Sequence, residues 1–269
     1  VSIYTTHWGL RDTPFRDCHD PRLFYQSPTH DEALARLHFL VDEHRRLGVL
    51  IGPTGSGKSL LLDVFAAELR KLGTPVAYLS LVGVEPQELL LKLALGLGLS
   101  FGRGEATVYL WRRLSDRLSE FRYQQQSAVV LLDDIDQASD AVLAHVTRLV
   151  QYDRSPQSQL TVVLAGRNDR MARIGPVLAE LAELRIDLEP WDEAETEHYL
   201  KASLNQAGCE TELFAAGAIA RLHELSCGIP RRVTQLADLA LLAAAGRDLP
   251  QVDADVVDSA YHELGIALV

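Results

Sequence analysis

The residues with chemistry to offer fall in two short runs. The first, Gly52-Pro53-Thr54-Gly55-Ser56-Gly57-Lys58-Ser59, follows the apolar run Leu47 to Ile51 and leads into the helix-patterned stretch Leu60 to Lys71. Strand, G-x-x-x-x-G-K-S and helix in that order describe a phosphate-binding loop. The glycines let the backbone fold back so that successive N–H groups point inward at a polyphosphate, helped by the positive end of the following helix. Pro53, Thr54, Gly55, Ser56, Gly57, Lys58, Ser59 and Leu60 are therefore expected to wrap a nucleoside triphosphate. Lys58 would reach its β- and γ-phosphates and Ser59 would ligate Mg²⁺.

The second run is Val129-Val130-Leu131-Leu132-Asp133-Asp134. Four apolar residues ending in two carboxylates read as a buried strand that delivers acids at its C-terminal edge, where open α/β sheets bind ligands. The phosphate loop also leaves the C-terminal end of its strand, so both runs should meet at one crevice. There Asp133 would hold Mg²⁺ through water, and Asp134 would orient or deprotonate an attacking water.

These residues need a sheet to hold them. Three further short apolar runs read as strands: Pro75 to Leu81, Leu160 to Ala165 and Leu184 to Leu188, the last closed by Pro190. Helical patterns over His30 to Arg46, Pro86 to Leu97, Ala106 to Gln126 and Ser139 to Tyr152 separate them. Gly166-Arg167-Asn168-Asp169 closes the strand at Leu160. Asn168 or Arg167 there would lie near the γ-phosphate and report it, or would cap the following turn. From Trp191 the strands stop and four helices follow, over Asp192 to Gln206, Thr211 to Leu225, Pro230 to Ala245 and Asp253 to Leu264. Asp192 with Glu195 forms a capping-box pattern. The change of period sets a boundary near residue 190, giving an N-terminal segment over 1–46, an α/β core over 47–190 and a helical domain over 191–269.

Two regions outside the core bear on the same site. In front of the loop, Tyr4, Trp8, Leu10, Pro14, Phe15, Phe24 and Tyr25 make the first 46 residues a segment that packs on the core. Pro14 and Phe15, or Tyr25, would border an adenine, or would simply pack. Between two of the late helices, Gly228-Ile229-Pro230-Arg231-Arg232 places Arg231 in a first helical turn. A cation is disfavoured in that positive field unless an anion compensates, so Arg231 would meet a phosphate, or would be a solvated or carboxylate-paired surface arginine.

Composition narrows the function classes. The formal net charge is −11, which disfavours general affinity for DNA or acidic membranes. Arg103, Arg112, Arg113 and Arg117 form a local basic patch that reads first as a solvated helix face. No run approaches the roughly 20 apolar residues that span a bilayer. A cytoplasmic protein, or the cytoplasmic domain of a longer inner-membrane protein, is expected. The three cysteines, Cys18, Cys209 and Cys227, form no C-x-x-C pair, and the histidines, His19 and His30 among them, are scattered without ligand spacing. No catalytic constellation stands apart from the nucleotide site.

The chain resembles the AAA+ ATPase domain of the general secretion pathway protein A (ExeA-like) family. The resemblance runs from Tyr4-Thr5-Thr6-His7-Trp8-Gly9-Leu10 and Pro14-Phe15 through Asp20-Pro21-Arg22 and Ser27-Pro28-Thr29-His30-Asp31-Glu32-Ala33-Leu34. It continues through both runs above, Leu164-Ala165-Gly166 and Gly228-Ile229-Pro230-Arg231-Arg232. It implies a five-stranded parallel P-loop sheet of the AAA+ type with a helical lid, ATP hydrolysis with Mg²⁺ linked to self-association, and a protein partner in assembling envelope machinery. By resemblance Arg231 is the lid arginine that touches the γ-phosphate. Arg173 and Arg185 are both candidates for an arginine acting between subunits. Two positions depart from the family: Asp134 stands where glutamate is usual, and Arg167 stands where Gly-Gln-Pro would carry glutamine. The shorter Asp134 opens a second reading, a nucleotide switch or scaffold that hardly hydrolyses ATP. A DNA-associated regulator of the transposition or replication type is a third.

Overall fold

The computed structural model describes residues 3–16, 20–21, 24–100, 106–209 and 211–263. Cys18, His19, Arg22, Arg103 and the expected helix end at Leu264 lie outside the described residues. The chain divides into two compact units, one holding His30–Pro53 and Lys58–Leu188, the other Val1–Thr29, Thr54–Gly57 and Glu189–Val269.

The first unit is built on five parallel strands, β1 (Leu47–Gly52), β2 (Val76–Ser80), β3 (Ala128–Asp133), β4 (Leu160–Arg167) and β5 (Leu184–Asp187), in the order β2-β3-β4-β1-β5. Every residue of β1 and β3 is buried. This is why both read as continuous apolar runs rather than alternating ones. Each buried Val, Leu or Ile side chain contributes about 1.5–3 kcal/mol relative to exposure. Alternation assigns the two faces. Val130, Leu132, Val162 and Leu164 join one cluster with side chains of α4 (Pro86–Gly96), α5 (Thr107–Tyr123), α6 (Asp140–Val150) and α7 (Gly175–Leu181). The opposite face is covered by α3 (Lys58–Lys71), which packs on β1, β2, β3 and β4. Beside α3 lies α2 (Pro28–Asp42), joined to it by a 2.8 Å hydrogen bond between His38 and Glu68. The β4 strand runs two residues beyond its expected end, because Gly166 and Arg167 stay in register with Ile51 and Gly52.

The second unit is helical. It contains α1 (Ile3–Thr6), α8 (Glu193–Gln206), α9 (Ala216–Ser226), α10 (Pro230–Gly246) and α11 (Ala254–Glu263). The capping box at the start of α8 is present in full, with Asp192 accepting from the Glu195 N–H and Glu195 from the Asp192 N–H. Glu195 also accepts from the Thr29 N–H and hydroxyl, at 3.1 and 2.8 Å. The start of α9 is five residues later than the pattern suggests. Leu213 and Ala215 instead exchange backbone hydrogen bonds with Val252, flanking a single parallel bridge at Phe214. This extended pairing removes those residues from the helix.

The N-terminal segment divides against expectation. Rather than packing on the sheet as one piece over 1–46, the residues up to Thr29 group with the helical unit, and only α2 from His30 onward belongs with the sheet. Tyr4, Leu10 and Phe15 are buried in the helical core with Trp191, Leu200 and Phe214. Tyr4 Oη donates to Asp238 Oδ1 at 2.5 Å. Aromatic content alone does not say which core a segment enters.

Candidate functional site

In a parallel sheet the C-terminal strand ends open on one edge, and here that edge carries Gly52, Ser80, Asp133 and Arg167. Gly52 is in register with Arg167 and Ser80 with Asp133. The first residue of α3 is Lys58. Its Nζ donates to the carbonyl oxygens of Gly52 and Pro53 at 3.0 and 2.8 Å. Burial pushes its pKa below the ordinary lysine value, against the pull of Asp133, Asp134 and Asp136.

At the end of β3, Asp133 is 2% exposed. It accepts from the Ser59 hydroxyl and, at 2.9 Å, from the Asp134 N–H. Burial still raises its pKa above the usual carboxylate value. The Tyr78 hydroxyl sits between the Ser59 carbonyl (3.4 Å) and Asp133 Oδ2 (3.5 Å). A desolvated carboxylate beside a serine hydroxyl is a donor set that suits Mg²⁺, a hard cation that takes a few oxygens and keeps its waters. Among the described residues, no group of three His, Cys, Asp or Glu could hold a metal. One hydroxyl and one carboxylate, completed by phosphate and water, fit Mg²⁺ better than an all-protein cage would.

The left-handed φ of 55° at Asp134 turns the chain off the strand. Aspartate tolerates this conformation better than most residues. Its Oδ2 accepts from Ser80 Oγ at 2.8 Å. Sequence reading did not single out Ser80 or Asp136. Asp136, 1% exposed, accepts the Arg167 N–H on Oδ1 at 3.1 Å, while its buried Oδ2 takes no hydrogen bond. The signal for Asp136 was its place in the run Asp133-Asp134-Ile135-Asp136. Nothing in the sequence pairs Ser80 with Asp134. At β4's end, Asn168 is exposed and opens a 3-10 segment over Asn168–Ile174.

In the helical unit, the phosphate-loop residues Thr54–Gly57 group with the start of α10. The backbone N–H of Arg231 donates to the Gly55 carbonyl at 3.2 Å. A side chain on Gly55, whose φ is +86°, would come within 3.0 Å of Arg231 Cβ and 3.1 Å of Ile229 Cγ2. The turn into α10 depends on Gly228, where an added Cβ would lie 2.0 Å from the Trp191 carbonyl oxygen. Gly228 has φ +65°, and its own carbonyl accepts from the Trp191 N–H at 2.8 Å. The side chain of Arg231 is exposed.

Of the residues expected beside a base, Phe15 is displaced. It is 2% exposed, with its ring centroid 6.1 Å from Tyr199 and 6.0 Å from Phe214, so its bulk goes to the core. Pro14 and Tyr25 instead line a cavity of about 320 Å³ with Tyr199, Ser203 and Gln206. The intersubunit candidates also differ. Arg185 is paired through Nε and Nη2 with Asp187, whereas Arg173 is exposed in the 3-10 segment. In the basic patch Arg117 is engaged, with Nε on the Leu97 carbonyl at 3.1 Å and Nη1 on Glu120 at 2.9 Å. Of the remaining cysteines, Cys209 is buried and Cys227 exposed. Among the described residues, no helix is long and apolar enough to cross a membrane.

Residues 41–174 match the model of a family described as "AAA domain". The chain is 28% identical over 269 residues to General secretion pathway protein A of Aeromonas hydrophila, an alignment that takes in 98% of this chain and 49% of that protein. The chain thus spans about half the length of that curated relative. Among solved structures it is similar to Drosophila ORC bound to DNA, with a TM-score of 0.70 and 16% identity over 96% of this chain and 65% of that one. It is also similar to the Aeropyrum pernix ORC1 protein in complex with DNA, with a TM-score of 0.64 and 20% identity over 90% and 67%. At these identities the structural likeness shows the fold. The structure thus has the five-stranded parallel sheet of the P-loop AAA+ fold, its residues 41–174 match the AAA domain family, and the chain is similar to General secretion pathway protein A along nearly its whole length.

Proposed function

We propose that the chain binds ATP with Mg²⁺, hydrolyses it, and uses the nucleotide state to control self-association and the assembly of secretion- or pilus-type envelope machinery. The observation that carries the nucleotide reading is Lys58, half-buried and tied to two loop carbonyls, on the same sheet edge as the Ser59–Asp133 pair. A cation kept in a site that disfavours its charge is stabilised when polyphosphate arrives. The loop N–H groups and Lys58 would hold the β- and γ-phosphates, and Ser59 and Asp133 would hold Mg²⁺, which would supply positive charge to offset the negative charge that develops in the transition state. Asp134 orients the attacking water and accepts its proton. Arg231 adds its guanidinium to the phosphates held by the loop, and Asn168 stands at the β4 end as a phosphate-sensing candidate. Arg173 is the better intersubunit arginine, because Arg185 is already neutralised by Asp187. The likeness to General secretion pathway protein A supports the envelope role, and the reading places the chain in the cytoplasm, by itself or as the cytoplasmic domain of a longer inner-membrane protein.

The test is equilibrium ATP binding with parallel measurement of phosphate release. Lys58→Ala is expected to abolish binding, and Asp134→Ala to retain ATP while losing turnover. Equal ATP affinity in wild type and Lys58→Ala overturns the site. One observation favours a second reading, a nucleotide switch with little hydrolysis: Asp134 is short and already engaged by Ser80 at 2.8 Å. Phosphate release at background in the wild type, with and without added protein partners, selects that reading. A DNA-associated role draws on the ORC likeness and is opposed by the net charge of −11. Salt-dependent DNA binding in an anisotropy titration would restore it.

A further inference from the structure

The sheet ends in β5, and among the described residues no strand lies on its outer side. An open strand edge is a row of backbone donors and acceptors with which another chain can pair. Which residues supply that row follows from the register. Val162 N–H donates to the Arg46 carbonyl, so the even-numbered residues of β1 turn their backbone groups to β4, and Val49 and Ile51 turn theirs to β5. Ile51 accepts from the Leu188 N–H at 2.7 Å and lies opposite Asp187. Leu184, Ile186 and Leu188 therefore point their backbone groups inward, and Arg185 and Asp187 point theirs to the open edge.

The side chains alternate in the same way. Ile186 and Leu188 are buried. Arg185 and Asp187 share the other face, 67% and 44% exposed, and form an ion pair along the strand at 2.7 Å. So exposed a pair stabilises a fold little. Charges on an edge strand ordinarily discourage pairing. Opposite charges two residues apart are an exception when the incoming strand is the same segment running antiparallel. Centred on Ile186, that arrangement sets Arg185 of each copy opposite Asp187 of the other. These are the residues whose backbone groups face outward, so each opposed pair exchanges two backbone hydrogen bonds and brings opposite charges together. On the other face Ile186 meets Ile186, and Leu184 meets Leu188. A parallel pairing in register would instead set arginine against arginine and aspartate against aspartate.

We propose that β5 is a self-pairing edge, through which two copies of the chain join antiparallel about a two-fold axis at Ile186, with Arg185 and Asp187 as the charges that select the partner and the register. The two residues exchange their own ion pair for two between copies. This contact needs no nucleotide, and it is a surface apart from any self-association that the ATP site controls. Two four-residue strands bury well under the roughly 1,200 Å² of a standard interface, so the dimer is reversible, with a dissociation constant on the order of 100 µM.

The experiment is sedimentation equilibrium of the ligand-free chain from about 5 to 500 µM, a range that brackets the expected constant. It compares wild type, Arg185→Asp, Asp187→Arg and an equal mixture of the two variants, with thermal melts to confirm that each is folded. Wild type is expected to pass from monomer toward dimer across the range. Either substitution alone sets like charges opposite each other at both pairs, and is expected to weaken dimerisation by roughly tenfold or more. In the mixture one chain carries two aspartates on this face and the other two arginines, so every opposed pair is again complementary. Association within about threefold of wild type is expected there. Charges that served only their own chain would give no such rescue. Wild type that stays monomeric throughout overturns the inference. A dimer that neither substitution weakens, or whose loss is not reversed by mixing, also overturns it, and leaves the self-association proposed above to another surface.

Discussion

The sheet unit and the helical unit present their polar residues in opposite ways. At the sheet edge the groups are buried against their own charge: Lys58 with its pKa pushed down, Asp133 with its pKa pushed up, Asp136 with an oxygen that takes no hydrogen bond. At the start of α10 the arginine side chain is exposed, and its backbone is fixed by the Arg231 N–H on Gly55 and by the Gly228–Trp191 contact. The sheet edge therefore holds unfavourable electrostatic energy, which the proposed nucleotide and metal would relieve, while the helix start places the arginine backbone through close contacts. The two regions should respond differently to substitution. Changes at the sheet edge should alter binding and leave the ligand-free fold intact or firmer, and changes at the helix turn should weaken the fold itself.

The largest expected effect tests the second half of that contrast. Gly228→Ala puts a methyl group 2.0 Å from the Trp191 carbonyl oxygen at a positive φ. It is expected to destabilise the helical unit by roughly 2–4 kcal/mol, measured by denaturant unfolding. A loss below about 0.5 kcal/mol, within the range of an ordinary surface change, would show that the turn into α10 yields easily. Arg231→Ala at the same turn keeps the backbone hydrogen bond. It should leave stability within about 0.5 kcal/mol and weaken ATP about tenfold, a binding effect without a folding one.

The same contrast explains what was legible in the sequence. The sheet edge declares itself because strands buried on both faces leave continuous apolar runs, and the loop and acidic residues follow them without a gap. All five strands and the residues Lys58, Ser59 and Asp133 could be placed on that basis. Ser80 could not, since its role comes from the register of β2 against β3, and register is a tertiary property. In the helical unit the periods were clear and the starts were not: α9 yields Leu213 to Ala215 to a pairing with Val252 some 40 residues away, a contact with no local signature. Phe15 and the residues before Thr29 went to the helical core for the same reason, because apolar content fixes burial without fixing the partner.

The sheet edge supplies a smaller effect of opposite sign to Gly228→Ala. Asp133→Asn removes a charge that burial disfavours and keeps an oxygen for Ser59 and the Asp134 N–H. Ligand-free protein is expected to gain about 1 kcal/mol, seen as a melting temperature higher by a few degrees. The further rise that Mg²⁺ and ATP give the wild type should disappear. A variant less stable than wild type without ligand would mean that Asp133 serves the fold before it serves the metal.

The smallest effect asks whether a carboxyl with a pKa raised by burial is confined to the sheet edge, because Asp238 of the helical unit is of the same kind. Asp238 on α10 is half-buried, accepts from Tyr4 Oη, and has its pKa raised by burial, with the Tyr4 hydrogen bond acting the other way. In the unfolded chain it titrates near 3.9. Between that value and the raised one, the folded state binds more protons than the unfolded state, so stability is highest below the interval and falls as pH rises through it. Asp238→Asn should flatten this part of the stability curve and leave the neutral-pH protein slightly firmer. Tyr4→Phe should steepen it, since the hydroxyl that favours the carboxylate is gone. Urea unfolding at closely spaced pH values from about pH 4 upward to neutrality reads both slopes. If Asp238→Asn follows the wild-type curve, the acid dependence belongs to the sheet edge alone, and the division between the two units is sharper than this one carboxyl suggests.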